Sequence, residues 1–320
     1  MTAVRIDTSL VRCLAVLLIT NSHFDALYPD ARLGTGGALG NTLFFLLSGY
    51  GLAMSLNSGA ASQEPFLSYW LRRLSKIFPV LWVVTLVVIF IGGEWHEMAV
   101  SDWFFKLFWP LQYWFVCAIA LFYALFYWFG KFSEKAILMS IVLLGIPYFL
   151  CYFLLLDLSH FSIEASHFKW IVYFQITLWG AWLSKRSCQS SPIKDASLMI
   201  ASVLGFFGLM VALAWLNLWE LQFLLHLILF PFGLFAFRFF SAQAVTKFAN
   251  STGIYPAAVF LAGITLEIYL VQVPLVPVIA QRHWEFPIGW LVAIASIPVL
   301  AFVASKMTGQ LLSIRLLKKV

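Results

Sequence analysis

Two polar side chains stand in the first apolar stretch of the chain, where hydrocarbon surroundings would disfavour them. Arg12 and His23 are eleven residues apart, which corresponds to roughly 16 Å along a helix and to a shared face. An imidazole, with an ordinary pKa of about 6.5, is the side chain best suited to proton transfer near neutral pH. The spacing alone leaves two interpretations open. The pair lines one polar track, or Arg12 anchors the helix at the interface while His23 is buried against a backbone carbonyl.

The second apolar stretch is flanked by two unusual segments. A glycine-rich turn, GTGGALGN at residues 34–41, precedes it, and a basic block, LRRLSKIFP at residues 71–79, follows it. The glycines are expected to permit tight turning and close backbone approach near His23. A P-loop is excluded because the Gly-Lys-Ser/Thr ending is absent. The cations of the block, Arg72, Arg73 and Lys76, suit phosphate binding, but they also fit retention of positive charge or anionic lipid at a membrane surface.

A carboxylate in a later apolar stretch is a functional candidate because burying it in a membrane is costly unless it is paired or protonated. Glu267 is this residue; it is expected to orient His23, to pair with Arg12, or to be a protonated structural group. Gln222 and His226 are one helical turn apart in another apolar stretch. For them, hydrogen bonding between helices is the favoured interpretation.

No metal site is predicted. His160, Glu164 and His167 have a spacing that would align them on a helix, and such side chains are zinc ligands. Three residues of these types in an exposed loop are more often solvated, or they contact a polar ligand such as a sugar. We therefore expect neither a bound metal nor a permanently bound cofactor.

The composition predicts that membrane helices position these residues. The chain has 320 residues, of which 62% are hydrophobic and 11% charged, whereas soluble domains carry about 25% charged residues. At about 20 residues per crossing, the chain has room for roughly ten membrane helices. This excludes a soluble enzyme with an appended anchor and predicts one transmembrane domain over residues 1–320, with no appended soluble domain. The net charge of +6 does not indicate nucleic acid binding, because the cations lie between the apolar stretches.

Hydropathy predicts ten spans and their orientation. The spans are residues 8–28, 38–56, 76–92, 111–130, 136–157, 168–184, 196–217, 220–240, 256–280 and 287–312. With the N-terminus inside, 16 of the 20 Lys and Arg residues are cytoplasmic, and the other four are Arg32, Lys106, Lys169 and Arg282. Both termini are therefore predicted to be cytoplasmic. Pro274 and Pro277 suggest a kink in the ninth span.

A helical bundle of this kind fits a transporter, a channel, a structural subunit or an intramembrane enzyme. The Arg-x10-His helix, the GG-x2-G-x3-FFLLSGY segment of residues 36–50 and the RRLSKIFP block follow each other in this order. In this combination the chain resembles acyltransferase family 3, membrane proteins that modify cell-surface glycans and lipids. TLEIYLVQVPL, residues 265–275, is similar to the late signature of that family. The resemblance extends from about residue 5 to residue 312.

The resemblance implies a role for each cationic or basic residue. The donor would be a cytoplasmic acyl-CoA, a polyanion whose thioester lies at the end of a long pantetheine arm. Arg72, Arg73 and Lys76, together with Arg12, would bind its phosphates. The distance from Arg12 to His23 is comparable to the pantetheine arm, so that His23 would act as general base beside the thioester.

The resemblance also leaves departures and weaker candidates. Many members have Arg-x2-Arg where this chain has Arg73-x2-Lys76, which keeps the charge but loses one bidentate group. Many members also have a histidine where this chain has Gln272, so no acid–base role is assigned there. Three further residues are possible channel-lining groups, although ordinary helix packing or an aromatic belt explains them as well: Ser48, Tyr50 and Trp114.

We therefore predict an all-α integral membrane protein with about ten transmembrane helices, multi-pass in a bacterial plasma membrane. Its expected activity is O-acyl transfer, with acetyl as the default group, from cytoplasmic acyl-CoA to a hydroxyl of an extracytoplasmic or lipid-linked glycan. The expected partners are acyl-CoA, the glycan and membrane lipids, without nucleic acid. One alternative is a transporter or flippase of a lipid-linked saccharide, with Arg12, His23 and Glu267 on its pathway. Another is a membrane subunit whose polar residues are structural.

Overall fold

A computed structural model describes residues 6–56, 64–164, 167–186 and 190–317 and, apart from Glu94 and residues 311–317, their side chains. All regular structure within these ranges is helical, as predicted. The α-helices are α1 (Ser9–Ser22), α2 (Gly37–Leu56), α3 (Phe66–Leu74), α4 (Phe78–Gly92), α5 (Val100–Phe108), α6 (Trp114–Phe129), α7 (Glu134–Leu143), α8 (Gly145–Leu155), α9 (Lys169–Leu183), α10 (Pro192–Leu216), α11 (Phe223–Phe240), α12 (Gln243–Ser251), α13 (Ile254–Gly263), α14 (Thr265–Ala280) and α15 (Ile288–Leu317). Short 3-10 turns connect several of them.

Many of these helices are suited to a membrane. Within the described part of the chain, six helical segments are long and apolar enough to cross it, or eight if each of two bent helix pairs counts as one span. The bent pairs are α3 with α4 and α13 with α14. Helices α1 and α9 have only 14 and 15 residues, fewer than the roughly 20 that a crossing needs. The chain is thus a multi-pass membrane protein, whereas the predicted count of ten spans is not confirmed.

Local sequence signals explain where two of the apolar helices begin and end. Proline stands in the first turn of α4, at Pro79, and of α10, at Pro192, where its missing N–H has no partner to lose. Left-handed residues follow their last turns: Gly93 has φ 73° after α4 and Asn217 has φ 54° after α10. Glycine and asparagine adopt this conformation most easily.

The ninth predicted span, residues 256–280, is two helices rather than one kinked helix. Helices α13 and α14 meet at Ile264, whose φ of −124° and ψ of 25° are not helical. The kink was expected at Pro274 and Pro277, but α14 continues through both. Glycine is a weak helix former, and Gly263 immediately precedes the break. Prolines within membrane helices are tolerated because neighbouring groups satisfy the freed backbone atoms.

The first compact unit comprises residues 1–15, 38–64 and 125–259. Helices α10 and α11 pack side by side in it, and α9 packs against α7 and α8. Helices α2 and α9 meet backbone to backbone: a Cβ at Gly49 would lie 1.7 Å from the carbonyl oxygen of Thr177, and one at Gly180 would lie 1.9 Å from that of Leu46. Only glycine fits at either position, as is common where membrane helices approach closely.

The second compact unit comprises residues 16–37, 65–124 and 260–320. Helix α14 packs there against α4, α15 and two single-turn 3-10 helices, Asp25–Leu27 and Leu111–Tyr113. Trp82 of α4 donates from Nε1 to the carbonyl of Leu107 at 2.8 Å, which connects α4 to α5. Helix α14 therefore contacts segments from three distant parts of the sequence, including the turn that follows His23.

Candidate functional site

His23 lies directly after the last residue of α1, in the second unit. Its backbone N–H donates to the carbonyl of Thr20 at 3.1 Å. The partly buried ring meets the ring of Tyr269 edge to face, with centroids 6.2 Å apart. Tyr269 also contacts Tyr113, at 6.2 Å, and Phe115, at 5.4 Å. We call Tyr113, Phe115 and Tyr269 the aromatic cluster; it holds the imidazole in apolar surroundings.

The glycine-rich turn approaches the backbone beside His23, as predicted. A Cβ at Gly34 would lie 2.7 Å from the Cα of Asp25, and a Cβ at Gly37 would lie 2.8 Å from the Oγ of Ser22. Both neighbours flank His23 in the sequence. A larger side chain at Gly34 would meet the backbone of Asp25, whereas one at Gly37 would meet the side chain of Ser22. The close backbone approach is therefore seen at Gly34.

Gln272 is fully buried on α14, and neither its Oε1 nor its Nε2 has a hydrogen-bond partner among the described residues. It follows Tyr269 by three residues, so the two side chains are neighbours on one helix face. A buried polar group without a partner costs about 1–3 kcal/mol, which makes such groups rare. The sequence distinguished Gln272 only as a departure from the family pattern, without an acid–base role; its burial and missing partners are visible only in the structure.

The basic block lies at the end of α3 and in the turn after it. Arg72 and Arg73 belong to the last turn of α3, and Lys76 is exposed. The Nε and Nη2 atoms of Arg73 are buried without hydrogen-bond partners among the described residues. Its guanidinium lies 5.5 Å from the centre of the Tyr69 ring. Buried guanidinium donors without an acceptor, close to further cations in the sequence, suit an anionic ligand such as phosphate.

Three of the predicted residues lie in the first unit. Arg12 is exposed on α1. The Oγ of Ser48 donates to the carbonyl of Phe44 at 2.9 Å, and the ring of Tyr50 packs 5.1 Å from that of Phe237. These contacts of Ser48 and Tyr50 are those of ordinary helix packing, which the sequence left open as an alternative.

Two other predicted residues lie in the second unit. Trp114 begins α6 and packs edge to face against Phe115 of the aromatic cluster, at 6.3 Å. Glu267 is partly buried near the start of α14, where its carboxylate is hydrogen-bonded to Ser305 of α15. Trp114 therefore adjoins the surroundings of His23, whereas Glu267 has a partner of its own on α15.

A cluster that the sequence did not assemble lies in the first unit, around Glu164 and His226. The Nε2 of His226 is 3.0 Å from a carboxylate oxygen of Glu164, and its Nδ1 is 3.0 Å from the hydroxyl of Tyr148. Tyr173 donates to the same carboxylate at 3.2 Å, and the Nζ of Lys169 lies 3.9 Å from it. Because Tyr148 is on α8 and His226 on α11, the predicted hydrogen bonding between helices is confirmed for His226.

The charge of Glu164 and the amide of Gln222 are both satisfied in this cluster. Burial by itself would raise the pKa of Glu164, but His226 and Lys169 outweigh it and hold the pKa below its ordinary value. Gln222 is fully buried. Its Oε1 accepts the backbone N–H groups of Ser162 and Ile163, each at 3.0 Å. The Glu164–His226 cluster and Gln222 thus attach the loop of residues 157–164 to α11.

The loop residues that were weighed as metal ligands have other partners. Glu164 is bound to His226, and the Nδ1 of His160 lies 3.4 Å from a carboxylate oxygen of Asp157. Among the residues that the structure describes, no group of three or more His, Cys, Asp or Glu side chains is placed to hold a metal ion.

Comparison with known proteins relates nearly the whole chain to one family. The model of acyltransferase family 3, described as an acyltransferase domain, matches residues 5–306. No curated protein and no solved structure gives a significant match. The matched residues include His23, the aromatic cluster, the basic block and α14.

Proposed function

Because the chain belongs to acyltransferase family 3, we propose that this membrane acyltransferase transfers an acyl group, acetyl by default, from cytoplasmic acyl-CoA to a hydroxyl of an extracytoplasmic or lipid-linked glycan. The observation that carries the proposal is the partly buried ring of His23, which packs against Tyr269 of the aromatic cluster while Gly34 approaches the backbone of Asp25.

In the proposed reaction, His23 is the general base that accepts the proton of the acceptor hydroxyl. Its free nitrogen accepts the proton of the acceptor hydroxyl while the hydroxyl oxygen attacks the carbonyl carbon of the thioester. The carbon–sulfur bond then breaks, and the imidazolium returns the proton to the departing thiolate of CoA. General base catalysis of this kind contributes about 10²- to 10⁴-fold.

The anionic end of the donor is assigned to Arg72, Arg73 and Lys76. The buried Nε and Nη2 donors of Arg73 support this assignment, because an anionic oxygen would supply the acceptors that the described part of the chain does not. The exposed Lys76 adds long-range attraction for a polyanion. Arg12, exposed on α1, is retained from the sequence as a further phosphate contact.

The proposal includes ten crossings with both termini cytoplasmic, in a bacterial plasma membrane. Eight crossings are available from the apolar segments and bent pairs, and α1 and α9 would supply the other two. Helix α1 would span about 21 Å by itself, so the 3-10 turn after His23 would lie within the remaining membrane thickness. The basic block then faces the cytoplasm, where acyl-CoA is found.

The test compares surface glycans of cells that lack the gene and carry either the native chain or the His23→Ala variant. Native cells should show one C2H2O unit more per modified hydroxyl than cells with the variant, because the general base is missing from the latter. His96→Ala, a change of an exposed histidine in the same unit, is the matched control and should retain the product. Equal membrane levels of all three proteins are required.

Two outcomes contradict the proposal. Full product with His23→Ala would remove His23 as the base. Identical glycans with and without the gene, together with movement of a lipid-linked saccharide across proteoliposomes that contain no acyl donor, would establish a transporter instead.

A further inference from the structure

The amide of Gln272 is polar, fully buried and without a hydrogen-bond partner among the described residues. On folding, this amide loses its hydrogen bonds to water and gains none from the described residues. Each unpaired group of this kind costs about 1–3 kcal/mol of folding free energy. A polar group held in this way is ready for a ligand that supplies the missing donor and acceptor. The position of Gln272 on α14, near the residue that contacts His23, indicates the chemical class of that ligand.

Gln272 and Tyr269 are separated by three residues, about 4.5 Å along the axis of α14. The ring of Tyr269 contacts that of His23, with the two ring centroids 6.2 Å apart. The amide is thus one helical turn away from the residue that packs against the proposed base. Apart from Tyr269, the other buried residues of α14 near it are apolar and have no side-chain hydrogen-bonding groups: Ile268, Leu270, Val271 and Val276.

A carboxamide carries two donor hydrogens on one atom and an acceptor on the other. Its natural complement is a neutral group that both accepts and donates, and another amide does so with matched geometry. The pantetheine arm of acyl-CoA contains two amides, and two methylene groups separate the nearer one from the thioester sulfur. That short separation is comparable to one turn of α14, the spacing between Gln272 and the residue in contact with His23.

We infer that Gln272 is a donor-binding residue whose side-chain amide hydrogen-bonds the pantetheine amide nearest the thioester and so places the thioester beside His23. The inference rests on the proposed function, because it takes acyl-CoA as the donor. It assigns Gln272 a binding role and no proton transfer. It also explains why, within the described part of the chain, the fully buried Gln222 is paired and the equally buried Gln272 is not: the partner of Gln272 arrives with the substrate.

The test measures binding of two probes to the purified full chain in detergent micelles. The probes are coenzyme A and adenosine bisphosphate, the nucleotide half of coenzyme A that has no pantetheine arm. The variant Gln272→Met keeps the length of the side chain and removes both polar atoms. Gln281→Met, which changes an exposed glutamine directly after α14, is the matched control.

With Gln272→Met we expect the affinity for coenzyme A to fall roughly ten- to a hundredfold. The affinity for adenosine bisphosphate should stay unchanged, and Tm should be equal to or higher than that of the native chain because an unpaired buried amide has been removed. Gln272→Glu, which keeps an acceptor but loses the donor, should also weaken coenzyme A selectively. The control variant should bind both probes like the native chain.

Three results overturn the inference. Unchanged coenzyme A affinity in Gln272→Met excludes contact with the arm. Equal losses for both probes together with a lower Tm, or a variant that does not fold, assign Gln272 a structural role with a bound water. If the native chain binds neither probe, the proposed donor itself is wrong, whereas native binding that is unaffected by Gln272→Met rejects only the role of Gln272.

Discussion

Gln222 and Gln272 are both fully buried, one in each compact unit, and the fold treats them in opposite ways. Gln222 accepts two backbone N–H groups through Oε1 and donates through Nε2 to the carbonyl of His160 at 3.3 Å. Gln272 has no partner for either atom among the described residues. Burial and residue type are the same, so the difference lies in what the surrounding backbone offers.

The charged residues of the two units repeat this contrast. In the first unit, Glu164 is bound by His226, Lys169 and Tyr173, and the outcome is a closed network. In the second unit, the buried Nε and Nη2 atoms of Arg73 have no acceptor among the residues that the structure describes. A satisfied network stabilises a loop, whereas an unsatisfied group is stable only as part of a binding site or at a cost to the fold. The unpaired atoms of Gln272 and Arg73 therefore distinguish these two residues from Gln222 and Glu164, a distinction that polarity alone does not make.

The largest expected effect is on stability and concerns Gln222. Gln222→Met would leave the N–H groups of Ser162 and Ile163 and the carbonyl of His160 without partners, a loss of about 3 kcal/mol. Thermal unfolding in micelles should show a clearly lower Tm for Gln222→Met, and no decrease for Gln272→Met. Equal Tm changes in the two variants would contradict the division between paired and unpaired glutamines.

The next effect concerns donor affinity and Arg73. Arg73→Gln should weaken coenzyme A about tenfold, because a charge-assisted contact to phosphate is lost, without lowering Tm. Lys76→Gln, a change of an exposed cation in the same block, is the control and should have a smaller effect that disappears at high salt. The comparison fails if binding isotherms show the two variants to be alike, or if Arg73→Gln unfolds the protein.

Several features of the fold were predictable because they depend on local physics. Long apolar segments that enter a membrane must form helices. Each predicted span contains at least one helix. Pro79 and Pro192 start helices and Asn217 ends one for conformational reasons that act within a few residues. The break before α14 was missed because the proline rule placed a kink at Pro274 and Pro277, whereas the helix is interrupted at Ile264, directly after Gly263.

The site was predictable only in part. The family resemblance identified His23 and the basic block as candidates from the sequence. The glycines near His23 have the predicted close contacts. The contact of His23 with Tyr269 joins segments more than 200 residues apart, and spacing along the chain contains no such information. The same holds for His226, whose partners Glu164 and Tyr148 come from a loop and from another helix.

By itself, the amino-acid sequence determined that this protein is a helical membrane protein and an acyltransferase family member, because composition and local motifs are properties of the chain alone. Which polar groups are paired was decided by the tertiary structure. A glutamine is equally polar at positions 222 and 272, and only the backbone groups that the fold brings within hydrogen-bond distance make one of them structural and leave the other open to a ligand.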